Sequence, residues 1–319
     1  MEKKDLRIVF MGTPEFAVAT LRRLVEGGYR VVGVVTQPDK PVGRHGSVLR
    51  QPPVKQYALQ QGIPVLQPEK MKDPEFLQAL AAWKADMQVV VAFRMLPECV
   101  WAMPPMGTFN VHAALLPQYR GAAPINWAVI NGEEQTGVTT FFIDRHMDTG
   151  SIIMQRTFPI PAEADAGYVH DGLMALGAEA AADTVDMAIA AGGRPESKPQ
   201  YEPSEPKPAP KIFKETCRVD WTLTAKRVRD FVRGLSPHPS AWTLLAGPAA
   251  TEVKIHRAAD TGVPAGEEPG TLSAERGRLL VAAADNWVEI AELQPAGKKR
   301  MAAKDFLNGF RDIGSHHCE

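Results

Sequence analysis

The sequence predicts an α/β fold in two parts: an open, mostly parallel sheet domain followed by a small β-barrel domain. Three observations predict it. Through the first 191 residues, short apolar runs alternate with helical patterns, the texture of βαβ units. Residues 192–210 (GGRPESKPQYEPSEPKPAP) are dense in Pro, Ser and charge, which suits a linker better than a packed element. After them the runs become short and β-like with Gly and Pro between, as in a small barrel. The expected organisation is a sheet domain over 1–191, a linker over 192–210 and a barrel domain over 211–319. A length of 319 residues favours two domains over one.

Each element follows from its own pattern. Leu6 to Met11 (LRIVFM) reads as a buried strand. Pro14 opens a helix whose apolar positions Phe16, Val18, Leu21 and Leu24 share a face, and Gly27-Gly28 stops it. Val31 to Val35 is a second strand. Met87 to Phe93 (MQVVVAF) is a continuous apolar run of the kind found in parallel sheets covered on both faces. Thr108 to His112 is another short strand, and an Ala-rich helix over Gly167 to Ala191 ends this half at Gly192-Gly193. In the second half, a helix over Thr224 to Gly234 precedes β-like runs at Val253–Ala258, Gly270–Ser273, Leu279–Ala282 and Trp287–Leu293. A last helix spans Ala303 to Gly309. No internal repeat occurs.

Composition excludes several classes. Hydrophobic residues at 45% and charged residues at 23% exclude disorder of the whole chain. No apolar run approaches the roughly 20 residues of a membrane span. The start, MEKKDLRIVFMG, lacks a signal h-region, so the cytoplasm is the expected location. Cys99, Cys217 and Cys318 lie far apart and give neither a disulfide framework nor a zinc spacing. His316-His317-Cys318 reads as a frayed tail rather than a metal site, and no metal is expected. A net charge of −1 excludes a globally basic nucleic-acid binder but leaves room for local basic patches.

The chemistry-bearing stretch is FNVHAALLPQYRGAAPINW, residues 109–127. Asn110 and His112 stand two apart on a strand, so both side chains share one face about 7 Å apart. Ligands of open α/β sheets bind at the C-terminal ends of such strands. Asp148 follows in a Met-Asp-Thr-Gly turn between two apolar runs. An amide, an imidazole and a carboxylate suit acyl transfer to an amine: the amine must lose a proton while the carbonyl oxygen gains charge and needs a donor. No Ser or Cys nucleophile is required, because the amine attacks. Spacing alone fits a core histidine and a turn-forming aspartate equally well. No G-x-G-x-x-G fingerprint or Walker motif occurs. Two basic clusters complete the inventory. The long loop Thr36–Arg50 carries Lys40, Arg44 and Arg50, with Lys55 just beyond, and GKKRMAAK carries Lys298, Lys299, Arg300 and Lys304. Each fits a solvated surface as well as a phosphate-binding patch.

With these residues in view, the chain resembles the methionyl-tRNA formyltransferases, within the wider folate-dependent formyltransferase family, over nearly its whole length. The matching stretches are RIVFMGTPEFAV, VVTQPDKPVGR, PVKQYALQQGIPVLQPEK, FNVHAALLPQYRGAAPINWAVINGE, MDTGSII, VDWTLTA and LQPAGKKRMAAKDFLNG. The resemblance implies a Rossmann-like catalytic domain, then a barrel related to the OB fold that contacts tRNA. It implies formyl transfer from 10-formyltetrahydrofolate as co-substrate to the α-amino group of initiator methionyl-tRNA, supplying translation initiation, in a monomer that needs no metal. The family's catalytic Asn, His and Asp fall on Asn110, His112 and Asp148. Its folate-contacting segment falls on Ala114, Leu115, Leu116 and Pro117. Its tRNA contacts fall on Lys40, Arg44 and Arg50 in the long loop and on Lys298, Lys299 and Arg300. The alternative is a relative that formylates an amino-sugar nucleotide, but those relatives lack the TQPD-x-P-x-GR run present here. Three departures stand out: Ala114 where the family carries Ser, the polar pair Arg145-His146 before the turn, and Arg94 where many members carry a smaller residue.

Overall fold

A computed structural model describes residues 1–42, 48–248, 250–310 and 313–319. They divide into two compact units. The first comprises residues 1–121, 135–159 and 170–208; the second comprises 122–134, 160–169 and 209–319.

In the first unit, β1 (Arg7–Gly12), α1 (Glu15–Glu26) and β2 (Arg30–Val35) form the opening βαβ unit. Pro14 precedes α1 in an extended conformation and Gly27 caps its end. A two-stranded ribbon follows, β3 (Lys40–Val42) against β4 (Val48–Arg50), then α2 (Pro53–Gln60), β5 (Val65–Leu66) and α3 (Pro74–Ala82). Asp73 starts α3 by accepting the Glu75 N–H on its side chain, with Pro74 at the first helical position. Next come β6 (Met87–Val91), α4 (Glu98–Trp101) and β7 (Thr108–His112). The second unit takes α5 (Pro124–Ile130). The chain then returns to the first unit as β8 (Gln135–Phe142) and β9 (Ile152–Pro159), followed by α6 (Ala166–Ala191).

The main sheet has the order β5-β2-β1-β6-β7-β8-β9. Strands β5, β2, β1, β6 and β7 are mutually parallel, and β8 and β9 add an antiparallel edge. Val9, Met11, Val35 and Val90 pack on Phe76, Leu80 and Val100. Their alternates Ile8 and Phe10 are equally enclosed. Burial on both faces explains why these strands read as unbroken apolar runs. The small residues of α6 let it lie close on β7–β9, with Gly172 against Phe158 and Gly177 against Val111 and Val138.

The second unit contains α5, α7 (Ala225–Leu235), and β10 (Ala241–Ala246), β11 (Thr251–Pro264), β12 (Leu272–Glu275), β13 (Arg278–Ala282) and β14 (Asn286–Pro295). The chain closes with β15 (Met301–Ala302), α8 (Ala303–Gly309) and β16 (His317–Cys318). The antiparallel sheet runs β12-β13-β14-β11-β10-β16, with β15 on β14. Its two edges meet: Thr271 bridges to His317, and the Cys318 N–H donates to the Gly270 carbonyl at 2.9 Å. The terminal His-His-Cys stretch is therefore not frayed. Cys318 is 5% exposed inside the barrel, and burial pushes its thiol up to about 12. The fold class read from the sequence is the one observed, a parallel-rich α/β sheet followed by a curled antiparallel barrel sheet. No helix among the described residues is long and apolar enough to cross a membrane.

Asp230 on α7 is 2% exposed and accepts from Lys226 Nζ at 2.9 Å, Arg229 Nη2 at 2.9 Å and Arg233 Nε at 2.8 Å. Burial pushes its carboxyl up, but the hydrogen bonds from Lys226, Arg233 and Arg229 outweigh it and hold it below its ordinary value. A carboxyl held low in the folded state stabilises at every pH above the unfolded value and loses that contribution as pH falls through the folded value. Asp230→Asn should therefore cost about 3 kcal/mol at neutral pH, the low end for removing one partner of a buried ion cluster. The gap in melting temperature from the parent protein should narrow once pH drops below the ordinary carboxylate range. Thermal unfolding from pH 7 to pH 2 checks this; a gap that stays constant across the range contradicts it.

Candidate functional site

The site is built on β7 and the loop 143–151 that joins β8 to β9. Period two places Asn110 and His112 on one face of β7. Because β8 is antiparallel, with Phe142 opposite Phe109, the loop leaves the sheet at the far end of β7 from His112. It must fold back across the sheet to deliver a side chain there, and three local devices make it do so. Asp144 Oδ1 accepts the His146 N–H at 3.0 Å and the Thr149 hydroxyl at 2.8 Å, curling the loop on itself. Asp148 adopts φ +57°, a left-handed conformation that aspartate tolerates better than most residues. Gly150 passes so close to β8 that a Cβ would lie 1.6 Å from the Phe142 carbonyl oxygen, so only glycine fits.

The result brings Asp148 Oδ2 to 3.9 Å from His112 Nδ1. His112 Nε2 lies 2.8 Å from the Tyr119 carbonyl oxygen. A carbonyl only accepts, so Nε2 carries the proton and Nδ1, in the neutral ring, offers a lone pair on the side facing Asp148. At 3.9 Å the carboxylate is beyond direct hydrogen bonding yet within ion-pair range of Nδ1. The Gly121 N–H donates to Asp148 Oδ2 at 2.8 Å. His112 is 5% exposed, and the edge of Phe141 packs at 6.4 Å between ring centroids. Asn110 is half-buried, and its side-chain amide has no hydrogen bond to another described residue. One neutral base, one carboxylate that stabilises its charged form, and one uncommitted amide donor can together take a proton and steady an oxyanion.

The segment after β7 is pinned from below. The Thr139 hydroxyl donates to the Ala114 carbonyl at 2.7 Å and accepts the Leu116 N–H at 3.1 Å; Gln155 Nε2 donates to the Leu116 carbonyl at 2.8 Å. Ala114 is fully enclosed and Leu116 nearly so, whereas Leu115 and Pro117 are half-buried. A residue at 114 thus packs inward, which is why a methyl serves there. Of the other departures, His146 is an exposed turn residue and Arg145 reaches Glu98 at 3.3 Å. The Arg94 guanidinium caps the Pro68 and Glu69 carbonyls, and burial lowers its pKa.

The basic residues separate into engaged and free ones. Lys40 and Arg50 are exposed and directly opposite each other across the β3–β4 ribbon. Two like charges in that register repel. Arg44 falls outside the described residues. Lys55 is not available to a ligand: its Nζ sits 2.7 Å from Asp39 Oδ2. The hydrogen bond from Gln67, with those from Lys55, holds the Asp39 carboxyl below its ordinary value. In the second unit, Lys298, Lys299 and Arg300 are exposed, and Arg300 pairs with Glu292. Among the described residues no group of three or more His, Cys, Asp or Glu could hold a metal ion.

A formyl transferase family model matches residues 6–185, and a formyl transferase C-terminal domain model matches residues 211–311. The chain belongs to the formyl transferase family. A methionyl-tRNA formyltransferase of Parabacteroides distasonis is 55% identical over 323 residues, covering 99% of each chain. One of Phocaeicola vulgatus is 52% identical over 325 residues, covering 100% of each. Among solved structures, HypX from Aquifex aeolicus in complex with tetrahydrofolic acid superposes with a TM-score of 0.63 at 19% identity, over 97% of this chain and 48% of its own. An N-formyltransferase from Helicobacter canadensis, solved with folinic acid and dTDP-3-aminofucose, gives 0.64 at 18% identity, over 89% and 98%. These two likenesses establish the shared formyl transferase fold.

Sequence reasoning singled out Asn110, His112 and Asp148; the structure sets Asp148 Oδ2 3.9 Å from His112 Nδ1 and places Asn110 on the same face of β7 as His112. It missed Tyr119 and Gly121, whose carbonyl and N–H hold the other two polar groups. The one available signal was the glycine: Gly121 sits at φ +129°, a backbone conformation that disfavours any Cβ. Gly121→Ala should move the N–H off Asp148 and lower the kcat of formyl transfer by about 10–100-fold without unfolding the protein. Steady-state kinetics with a melting curve check this; full activity in a folded variant shows that the contact is dispensable.

Proposed function

We propose that this protein transfers the formyl group of 10-formyltetrahydrofolate to the α-amino group of initiator methionyl-tRNA, giving the N-formylmethionyl-tRNA that starts translation. The observation that carries the proposal is the 55% identity, end to end, to a methionyl-tRNA formyltransferase. The sugar formyltransferase structures align at only 15–21% identity, so the amino-sugar alternative is not favoured.

The groups on β7 and the 143–151 loop suit that reaction. The neutral amine of the methionyl ester attacks the formyl carbon. As the new C–N bond forms, the carbonyl oxygen takes negative charge, and the uncommitted Asn110 amide donates to it. The amine proton passes to His112 Nδ1, and Asp148 stabilises the imidazolium that results. Collapse of the tetrahedral species breaks the bond to N10 of the folate, and the proton leaves with that nitrogen. The half-buried Leu115 and Pro117 flank the folate, with Ala114 and Leu116 shaping the segment from behind. No nucleophilic side chain and no metal enters the scheme. A single chain carries all three polar groups, in keeping with a monomer.

Lys40, Arg44 and Arg50, together with Lys298, Lys299 and Arg300, contact the tRNA phosphates in this reading. The opposed Lys40 and Arg50 support it, because a phosphate between them turns mutual repulsion into joint attraction.

Labelled formyl transfer from 10-formyltetrahydrofolate to methionyl-tRNA, run beside an amino-sugar nucleotide acceptor, tests the proposal directly; labelling only the sugar rejects it. Asn110→Ala and Asp148→Ala should each lower kcat by about 10²–10⁴-fold, and near-normal turnover would remove that residue from the chemistry. Replacing Lys40 and Arg50 by alanine should raise the KM for tRNA, flatten its salt dependence and leave the KM for the folate unchanged. An unaltered salt slope counts against a phosphate contact by the ribbon.

A further inference from the structure

We infer that Gln200 is a positioning residue for Asp148, acting through a closed ring of hydrogen bonds that fixes the carboxylate beside His112. The inference rests on the reading of Asp148 given above. Gln200 lies in the Pro-rich stretch that composition marks as a linker, yet that stretch is docked on the first unit. Ile152 and Lys198 exchange both backbone hydrogen bonds at 2.8 Å, which sets Gln200 over the 143–151 loop. There its Nε2 donates to the Asp148 carbonyl at 2.9 Å and to the Gly150 carbonyl at 2.8 Å. Its Oε1 accepts from Arg120 Nη2 at 2.8 Å and Nε at 3.2 Å.

The ring closes through the backbone. Arg120 is bonded to Gly121, whose N–H holds Asp148 Oδ2 at 2.8 Å. Gln200 therefore fixes the main chain of Asp148, and the residue next to its other partner fixes the carboxylate. The loop needs such holding. It carries a non-glycine residue at φ +57° and a glycine pressed against β8, conformations that persist only where the surroundings over-determine them. A glutamine suits the place because its carboxamide offers two N–H donors to two carbonyls and, at the same carbon, an oxygen for the Arg120 guanidinium. Arg120 is further anchored by Glu202, 2.9 Å from Nη1. Released from Gln200, Asp148 loses the setting that puts its oxygen 3.9 Å from Nδ1. The loss should appear in turnover rather than in substrate binding, since Gln200 acts on the carboxylate and not on a substrate.

The test is a double-mutant cycle in the full-length protein, with kcat, both KM values and melting temperature measured for each variant. Gln200→Met keeps the length and removes all four hydrogen bonds. Gln200→Glu keeps the acceptor for Arg120 and removes the donors to the carbonyls. Either change should lower kcat by about 10–100-fold, the usual range for groups that orient a reacting residue, with both KM values within about twofold. In an Asp148→Ala background the same change should cost nothing further, because its target is gone. An equal fold-loss in both backgrounds, an unchanged kcat, or a loss confined to KM overturns the inference. Should Gln200→Met fail to fold, Gln200→Glu carries the cycle. The two readings fail separately: additive losses overturn the role of Gln200 and leave Asp148 in the chemistry, whereas wild-type turnover in Asp148→Ala alone overturns both.

Discussion

One carbonyl and one N–H, two residues apart in the backbone, set the imidazole and the carboxylate against each other. The Tyr119 carbonyl holds His112 Nε2 and the Gly121 N–H holds Asp148 Oδ2. These two groups lie in adjacent peptide planes separated only by the φ and ψ of Arg120, so a shift of one is passed to the other. The tripeptide thus acts as a spacer. It fixes the tautomer of the ring from one side and the orientation of the carboxylate from the other, leaving the Nδ1 face open to chemistry. The hairpin fold-back, the left-handed aspartate and the close-packed Gly150 all serve to bring the carboxylate within reach of that spacer.

Electrostatics show the same economy. The chain is nearly neutral, so its attraction to a polyanion must come from where charges are left uncompensated. Lys55 is neutralised by Asp39. Lys40 and Arg50 are instead placed opposite one another. Such a pairing destabilises an isolated ribbon and becomes favourable only when an anion joins it.

Much of this was legible in the residues and some was not, for physical reasons. The central strands announce themselves because a strand buried on both faces must be apolar throughout. Asn110 and His112 share a face because strand period is two, so their proximity needed no coordinates. Apolar pattern does not encode strand direction, so the antiparallel β8–β9 edge could not be read from it. A two-residue strand such as β16 is too short to show a period, so the sequence of the barrel closure it makes looks like a frayed end. Lys55 looked like part of a free basic loop because its partner, Asp39, is sixteen residues away. Gln200 was invisible for the same reason in stronger form. Its stretch has no periodicity, and its order comes entirely from bonds to Arg120 and to the 143–151 loop.

That last separation has a bearing on assembly. Gln200 reaches back 52 residues to Asp148 and 80 to Arg120. Loop closure over such spans grows only with the logarithm of length, so thermodynamically the reach is cheap. In time it is not neutral. During synthesis from the N-terminus, the imidazole, the amide and the acid all exist well before the glutamine that braces them. A polypeptide released at the end of α6 would hold every reacting group and lack the brace, so possession of the residues and possession of the working geometry arrive at different moments in the life of the chain.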